Sequence, residues 1–300
     1  MADVALTPST IAQARPRRPN PVLHFIRKQP LGFIGFLIIL AYFGLAIGAY
    51  WISPFHPEEI DFGAMLAAPS SEHPMGTDQY GRDVFSRLVY GARTAMAVGI
   101  LSAFVGCTAG ALIGATSGYF GGRIDNIIQR VVDIMLAFPI IVLAMVVVAV
   151  LGKNLLFGID MNLIIAIALP MVPKMARIAR SSTLSIAQMP YIDAARAAGY
   201  GHTRIILRHI APNIVAPYLV MVTAFIAQAI LLEASLSFLG LGVTEPTPAW
   251  GLMLSGASAD FYKAAPWMIM FPGLAITLAV FAFNLFGDSL RDWLDPKMKG

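Results

Sequence analysis

Few side chains in this sequence have a type and position suited to chemistry. Glu233 lies inside a long apolar run. A charge in lipid is costly and is usually functional, so one hypothesis is a proton or cation relay. About 20 residues separate Glu233 from Asn213 at the start of the run, and a rise of roughly 1.5 Å per residue places it near a membrane interface. There, water or a neighbouring helix end could satisfy the carboxylate instead, and both readings stay open.

Motifs for nucleotide, metal or acyl chemistry do not occur in the sequence. A phosphate-binding loop needs glycines followed by a lysine and a hydroxyl residue, but Gly152 and Lys153 are followed by Asn154. The five histidines are scattered, and no HExxH, GxSxG or paired-cysteine pattern is present. We therefore expect no catalytic residue, cofactor or metal in this chain.

The composition is that of an integral membrane protein. Hydrophobic residues make up 57% of the chain, charged residues make up 13%, and the mean hydropathy is +0.71. A helix needs about 20 apolar residues to cross the hydrocarbon core. Six runs meet or approach that length: Leu31–Ile52, Thr94–Ser117, Val131–Leu151, Met161 to about Ala179, Asn213–Ser235 and Pro266–Phe286.

The positions of the basic residues predict the orientation of the spans. Most of the 21 lysines and arginines fall before the first span, in the loops after the second and fourth spans, and at the C-terminus. By the positive-inside rule these segments are cytoplasmic, so both termini are expected inside. The net charge of +4 therefore reflects topology and attraction to anionic lipid, with no indication of nucleic-acid binding.

The N-terminal region resembles a secretory signal, because Arg15–Lys28 precedes an apolar run. That run is too long for a signal peptide, so we interpret Leu31–Ile52 as a retained first span. Residues 22–29 are expected to form a short interfacial helix. The single cysteine, Cys107, is expected to pack as a small apolar residue.

Residues 190–213 form a polar, helix-favouring segment between two apolar runs. Pro190 suits the first position of a helix and Gly199 suits the residue beyond its last turn. The helical period places Tyr191, Ala194, Ala195 and Ala198 on one face. Three of these four are alanines, so another protein could approach the face closely.

Four further patterns concern packing and the external segments. Gly106, Gly110 and Gly114 predict either a close helix–helix seam or a small-residue wall of a pathway, with the seam preferred; Gln228 and Asn284 are candidates to face such a pathway. Residues 81–93 are expected to lie along the membrane as an interfacial helix with Asp83 paired to Arg87.

The stretch around Trp250 is expected to be an external loop with an aromatic interface anchor, and Trp250 and Glu233 are the candidates for an outer gate. The acidic segment 53–93 has two readings, a docking surface for an external protein or an ordinary solvated loop.

Several separated motifs resemble one transporter family. Asp193-Ala194-Ala195, Gly199, Ile210 and Pro212 resemble the EAA loop of permease subunits of binding-protein-dependent ABC importers, with Asp193 where glutamate is usual. Segments 73–93, 118–133, 233–242, 248–254 and 283–296 resemble the dipeptide and oligopeptide branch, of the DppC or OppC type. The resemblance runs from about residue 22 to the end of the chain.

This resemblance implies a fold, a function and partners. The fold is an all-α membrane protein with six transmembrane helices, the type I importer permease fold, and a cytoplasmic coupling helix. The partners are a homologous second permease, two ATPase subunits that bind ATP and Mg, and an external substrate-binding protein. The residues implied to contact the ATPase are Tyr191, Asp193, Ala194, Ala195 and Gly199, with Arg204 and Arg208 available for acidic groups or lipid.

The implied role is import driven by ATP in partner subunits, in the bacterial inner membrane. Short peptides are the expected cargo, and nickel, glutathione or opines are alternatives. Two other classes remain open, a proton-coupled carrier that uses Glu233 and a membrane anchor without transport. The expected parts are a tail (1–30), a first span with external loop (31–92), a core (93–291) containing the EAA loop (190–213), and a tail (292–300).

Overall fold

The computed structural model describes residues 28–156, 158–256 and 260–294, which form a bundle of long helices. Residues 22–27 of the expected interfacial helix and residues 295–300 of the C-terminal tail lie outside these ranges. The helices of the bundle are α1 (Pro30–Ile52), α2 (Val84–Phe120), α3 (Gly122–Ala137), α4 (Ile140–Leu151), α5 (Met161–Ala168), α6 (Val172–Ala187), α7 (Pro190–Ala197), α8 (His202–Ile205), α9 (Ala211–Phe238), α10 (Trp250–Met253) and α11 (Trp267–Leu294).

Shorter elements connect these helices. One 3-10 turn spans Phe62–Ala64, and another, Leu169–Met171, joins α5 to α6 without a break in the span. Strands β1 (Leu155–Leu156) and β2 (Ile159–Asp160) form an antiparallel hairpin, and a π-helical turn, Ile206–Ile210, leads from α8 into α9.

Five of the six predicted spans are long apolar helices in the described part of the chain. The remaining predicted span, Val131–Leu151, is not one straight helix: α3 and α4 meet at a 97° bend, and the described residues contain six spans if this bent pair counts as one. Pro139 causes the break, because it lacks an N–H group and forces the preceding residue, Phe138, into an extended conformation. The 12 residues of α4 extend about 18 Å, too short to cross the hydrocarbon core alone.

The longest helix, α2, also differs from expectation. Asp83 caps it by accepting a hydrogen bond of 2.7 Å from the Ser86 N–H, and the helix then continues without a break to Phe120. The separate interfacial helix over residues 81–93 is therefore wrong. Asp83 pairs with His73, at 3.1 Å, instead of with Arg87.

Glycines on one stripe of α2 bring it against α5 and α6. A Cβ atom built at Gly106, Gly110 or Gly118 would lie 2.6–2.8 Å from the carbonyl oxygen of Ala168, Val172 or Arg180. Gly114 faces Ala176 in the same way. Both sets of residues advance by four, so the two helices run parallel with their backbones nearly touching. The preferred interpretation of these glycines, a helix–helix seam, is confirmed.

The bundle has two distinct ends, named here for later use. The basic end contains the end of α6, together with α7, α8 and the start of α9, up to Asn213. The loop end contains residues 53–83 and 239–256, together with the 154–160 hairpin. Since α2 runs from Val84 at the loop end to Phe120 at the basic end, it connects both.

Replacing Gly110 by leucine is expected to destabilise the protein, because the new side chain would meet the carbonyl oxygen of Val172 and the Cβ of Met175, at 2.6 and 2.7 Å from its Cβ. We expect a loss of about 1–3 kcal/mol or failure to fold. The measurement is the midpoint of thermal unfolding in detergent. Gly44→Leu is the matched control, since no atom lies within 4 Å of a Cβ built there. Equal midpoints for the two variants would contradict the seam.

Candidate functional site

The predicted polar helix forms at the basic end as α7. Pro190 occupies its first turn, and Gly199 follows it with a φ of 78°, which glycine adopts without strain. The chain reverses there through hydrogen bonds from the Tyr200 N–H to the Ala195 carbonyl, at 3.1 Å, and from the Gly199 N–H to the Arg196 carbonyl, at 2.9 Å. The sequence prediction of a short helix with these two ends is confirmed.

The two faces of α7 have different surroundings. Ile192 and Ala195 are buried at 0% and 6% exposure in a small apolar cluster of this chain. The other members of that cluster are Ala115, Tyr119, Ile205, Ile210 and Ile214. Tyr191, Ala194 and Ala198 are exposed. Ala195 therefore packs inside this subunit, and its predicted place on the free face is wrong.

Charged groups on and beside α7 are mostly free for contacts outside the chain. Asp193 accepts a hydrogen bond of 3.2 Å from Arg196, but both side chains are exposed, so the pair adds little stability. Arg204 lies over the Tyr200 ring, 4.0 Å from its centroid, and Arg208 is exposed. Within the described ranges neither Arg204 nor Arg208 forms an ion pair with this chain.

Aromatic residues brace the loop after α7. His209, in the π-helical turn, stacks near Tyr200 and Tyr191, with ring centroids 6.1 and 6.2 Å away. Asn213 donates to the Tyr191 hydroxyl at 3.4 Å and to the His209 carbonyl at 2.6 Å. Such π-helical turns are rare in proteins, and many of those that occur lie at functional sites. Tyr191 is thus exposed but held in place.

A cluster of four charged residues lies at the loop end. The Arg82 guanidinium donates to Asp78 at 2.6 Å and to Glu245 at 2.6 and 3.3 Å. Arg87 is 1% exposed, donates to Glu245 at 3.4 Å and to the Pro57 carbonyl at 3.1 Å. The cluster therefore joins three segments that are distant in sequence.

This charged cluster was not found from the sequence. Arg82 and Glu245 are 163 positions apart in the sequence, and the charges of the cluster look like those of any solvated loop. Burial alone raises the pKa of Glu245, but the hydrogen bond from Arg82 and the positive charges of Arg87 and Arg82 together hold that pKa below its usual value. Glu245 is therefore an anion at neutral pH.

The two residues predicted for an outer gate are both buried. Glu233 is 1% exposed and accepts a 2.7 Å hydrogen bond from the Ser237 hydroxyl, which accepts from the Val243 N–H at 3.0 Å. Trp250 is 1% exposed, and its indole N–H donates to the Leu88 carbonyl at 2.9 Å. Trp250 is therefore a core residue and the predicted interface anchor is wrong; Glu233 is likewise not solvated.

The loop end contains a cavity. A cavity of about 590 Å³ lies between the start of α2, the 154–160 hairpin and the 242–248 loop, with Arg93 and Lys153 in its wall. Gln228, one of the two candidates to face a pathway, is half-buried, and Asn284, the other, is exposed. In the described ranges no group of three histidines, cysteines or acidic residues is placed to hold a metal ion.

These features describe a bundle of long apolar helices with one short, partly exposed helix at its basic end. The model of the "binding-protein-dependent transport system inner membrane component" family matches residues 110–300, and that of the "N-terminal TM domain of oligopeptide transport permease C" matches residues 22–69. The chain belongs to the family of binding-protein-dependent transport permeases of ABC importers.

Curated relatives and a solved structure agree with this assignment. The dipeptide transport system permease protein DppC of Alkalihalophilus pseudofirmus is 44% identical over 91% of this chain and 88% of its own length. The glutathione transport system permease protein GsiD of Escherichia coli O157:H7 is also 44% identical, over 91% and 89%. The inward-facing MetNI methionine ABC transporter has the same fold, with a TM-score of 0.53 at 17% identity, covering 70% of this chain and 98% of that one.

Glu245→Gln is expected to lower thermal stability at pH 7 and to have less effect as the pH falls. A carboxylate with a lowered pKa stabilises the folded state above its unfolded pKa, about 4.3, and loses that contribution as the pH falls through the folded pKa. The difference in unfolding midpoint between wild type and variant should therefore shrink from pH 7 toward pH 3. Glu59→Gln, at an exposed position, serves as the control. A difference that stays constant over this range would rule out the charge cluster as its source.

Proposed function

We propose that this chain is half of the membrane pathway of an ATP-driven peptide importer and that α7 receives the motion of an ATPase. The observation that carries this proposal is the exposed face of Tyr191, Ala194 and Ala198 on a helix that is fixed from behind by Ile192 and Ala195. Small side chains let a partner approach the helix closely. Because the buried side of α7 packs against the bundle, a displacement of α7 by the partner also displaces the helices behind it.

ATP and Mg belong to two partner ATPase subunits in this proposal. The sequence has no phosphate-binding loop, so the chain itself performs no hydrolysis. Arg204 and Arg208 lie next to α7 with no acidic partner among the described residues of this chain, and they suit acidic groups on the ATPase. Asp193 and Gly199 complete the contact, Asp193 by its exposed carboxylate and Gly199 by the turn.

The rest of the assembly follows from the family. A homologous second permease supplies the other half of the pathway, and exposed apolar side chains on α1, α4 and α11 offer surface for it and for lipid. A substrate-binding protein docks outside, at the loop end, so the basic end and both termini are cytoplasmic. The positive-inside distribution of lysine and arginine supports this orientation.

Dipeptides or oligopeptides are the proposed cargo. The names of the relatives, a dipeptide permease and a glutathione permease, both describe short peptide-bonded compounds. Nickel and opines are alternatives, because the binding protein selects the cargo. The proposed boundaries of the parts remain 31–92, 93–291 and 190–213, with tails at 1–30 and 292–300.

Energisation separates the importer from a proton-coupled carrier. We expect peptide uptake into cells or vesicles to stop when ATP is depleted and to continue when the proton gradient is collapsed with ATP maintained. Glu233→Gln should keep at least about half of the uptake, because the glutamine carbonyl still accepts the Ser237 hydrogen bond. Uptake that follows the proton gradient and is lost in Glu233→Gln would favour the carrier.

The face of α7 can be tested by cysteine crosslinking to the ATPase subunits in membranes. We expect a cysteine at Ala194 or Ala198 to crosslink, with a yield that changes on addition of ATP, and a cysteine at the buried Ala195 not to. The native Cys107 is buried and does not interfere.

Failure to crosslink at both Ala194 and Ala198, with the complex assembled, would overturn the coupling role of α7. A membrane anchor makes a separate prediction: Ala194→Arg would then leave ATPase binding and uptake unchanged. In the importer the bulky arginine should block both, while the same variant still inserts into the membrane.

A further inference from the structure

A second polar cluster lies at the basic end, behind α7, and connects three helices. Asp125 on α3 is 8% exposed. Its carboxylate accepts hydrogen bonds from Nε and Nη2 of Arg180 on α6, at 2.6 and 2.5 Å, and from the hydroxyl of Ser117 on α2. Gln129 on α3 donates to the same hydroxyl, at 2.9 Å.

The position of this cluster in the chain gives it a mechanical context. Helix α6 ends at Ala187, and only Gln188 and Met189 separate it from α7, so α7 and α6 cannot move far apart. Helix α3 leads at its other end through the 97° bend at Pro139 into α4, which enters the bundle. The Asp125–Arg180 pair is therefore a polar link between the helix that carries α7 and the helix that carries α4.

A bidentate pair is suited to such a link. Two parallel N–H···O bonds fix the orientation of the guanidinium relative to the carboxylate as well as their distance. The carbonyl of Arg180 also faces Gly118, so the backbone at that position is held against α2 while its side chain holds α3. A shift of α6 thus displaces α3 through Asp125 without a flexible element between them.

We propose that Asp125 and Arg180 are positioning residues that transmit the movement of α7 to α3 and α4. This inference rests on the proposed coupling function and adds the route by which the movement reaches the membrane. Neither residue touches ATP or cargo. Their loss should uncouple hydrolysis from transport and leave both the assembly and the basal ATPase rate intact.

A matched control lies on the same two helices, about one turn away on α6 and about two turns away on α3. Arg177 on α6 donates to Asp133 on α3 at 2.6 Å, but these side chains are 55% and 51% exposed. Because water screens this pair, it contributes little to positioning. The Arg177–Asp133 pair consists of the same two residue types as the Arg180–Asp125 pair. It differs in being exposed and in having one hydrogen bond between the side chains instead of two.

The experiment uses the complete reconstituted complex in proteoliposomes, with both permeases, the ATPases and the binding protein. Uptake of a dipeptide and ATP hydrolysis are measured on the same preparation. For Asp125→Asn we expect peptide transported per ATP hydrolysed to fall at least about tenfold. Arg180→Lys, which keeps the charge but not the bidentate geometry, should give an intermediate loss. Asp133→Asn should stay within about twofold of wild type.

Each outcome decides between the two proposals. An unchanged ratio in Asp125→Asn and Arg180→Lys, or an equal fall in Asp133→Asn, would overturn the link. If the Asp125→Asn complex does not assemble, the test rests on Arg180→Lys alone. An assembled Arg180→Lys complex that transports as much peptide per ATP hydrolysed as wild type would then overturn the link. A wild-type complex that neither imports peptide nor responds to the binding protein would instead refute the proposed function itself.

Discussion

The close approach of α2 to α5 and α6 is the constraint on which the rest of the structure depends. Gly106, Gly110 and Gly114 leave no space for a side chain between the two backbones. Lipid gives little hydrophobic reward for helix association, so dispersion contacts at such short range hold the pair together. Because α2 contacts both ends of the bundle, this seam fixes where the loop end and the basic end lie relative to each other.

At each end of the bundle, charged side chains are paired with groups from other segments. At the loop end Glu245 accepts hydrogen bonds from two arginines of a distant segment, Arg82 and Arg87, and at the basic end Asp125 accepts from Arg180 and Ser117. Buried charges are costly unless they are paired and hydrogen-bonded, so each cluster holds its helices in one arrangement. Glu233 is buried as well, and in the described part of the chain its carboxyl group accepts a hydrogen bond from Ser237 but forms no ion pair.

The parts of this structure that are local in sequence could be predicted, and those that depend on distant partners could not. Hydropathy identified five spans, and Pro190 with Gly199 marked both ends of α7. The bend at Pro139 was overlooked because the apolar run continues through it. Ala195 was placed on the exposed side because it lies at the edge of the face that carries Tyr191 and Ala198; it is also three residues from Ile192 and packs with that residue in the buried cluster. The pairing of Arg82 with Glu245 has no local signal at all.

The size of α7 sets a requirement on the coupling surface. Eight residues extend only about 12 Å, and two of them, Ile192 and Ala195, are buried against their own chain. A stable protein interface buries about 800 Å² on each partner, which is more than this helix alone can supply. Additional contact area must come from its neighbours, and Leu207, at 62% exposure, and Arg208 lie in the following turn with no described partner in this chain. In the proposed complex Leu207 would extend the surface toward α9, beside Arg204 and Arg208, which form no ion pair with the described residues, so the ATPase would contact α7 and the turn before α9 together.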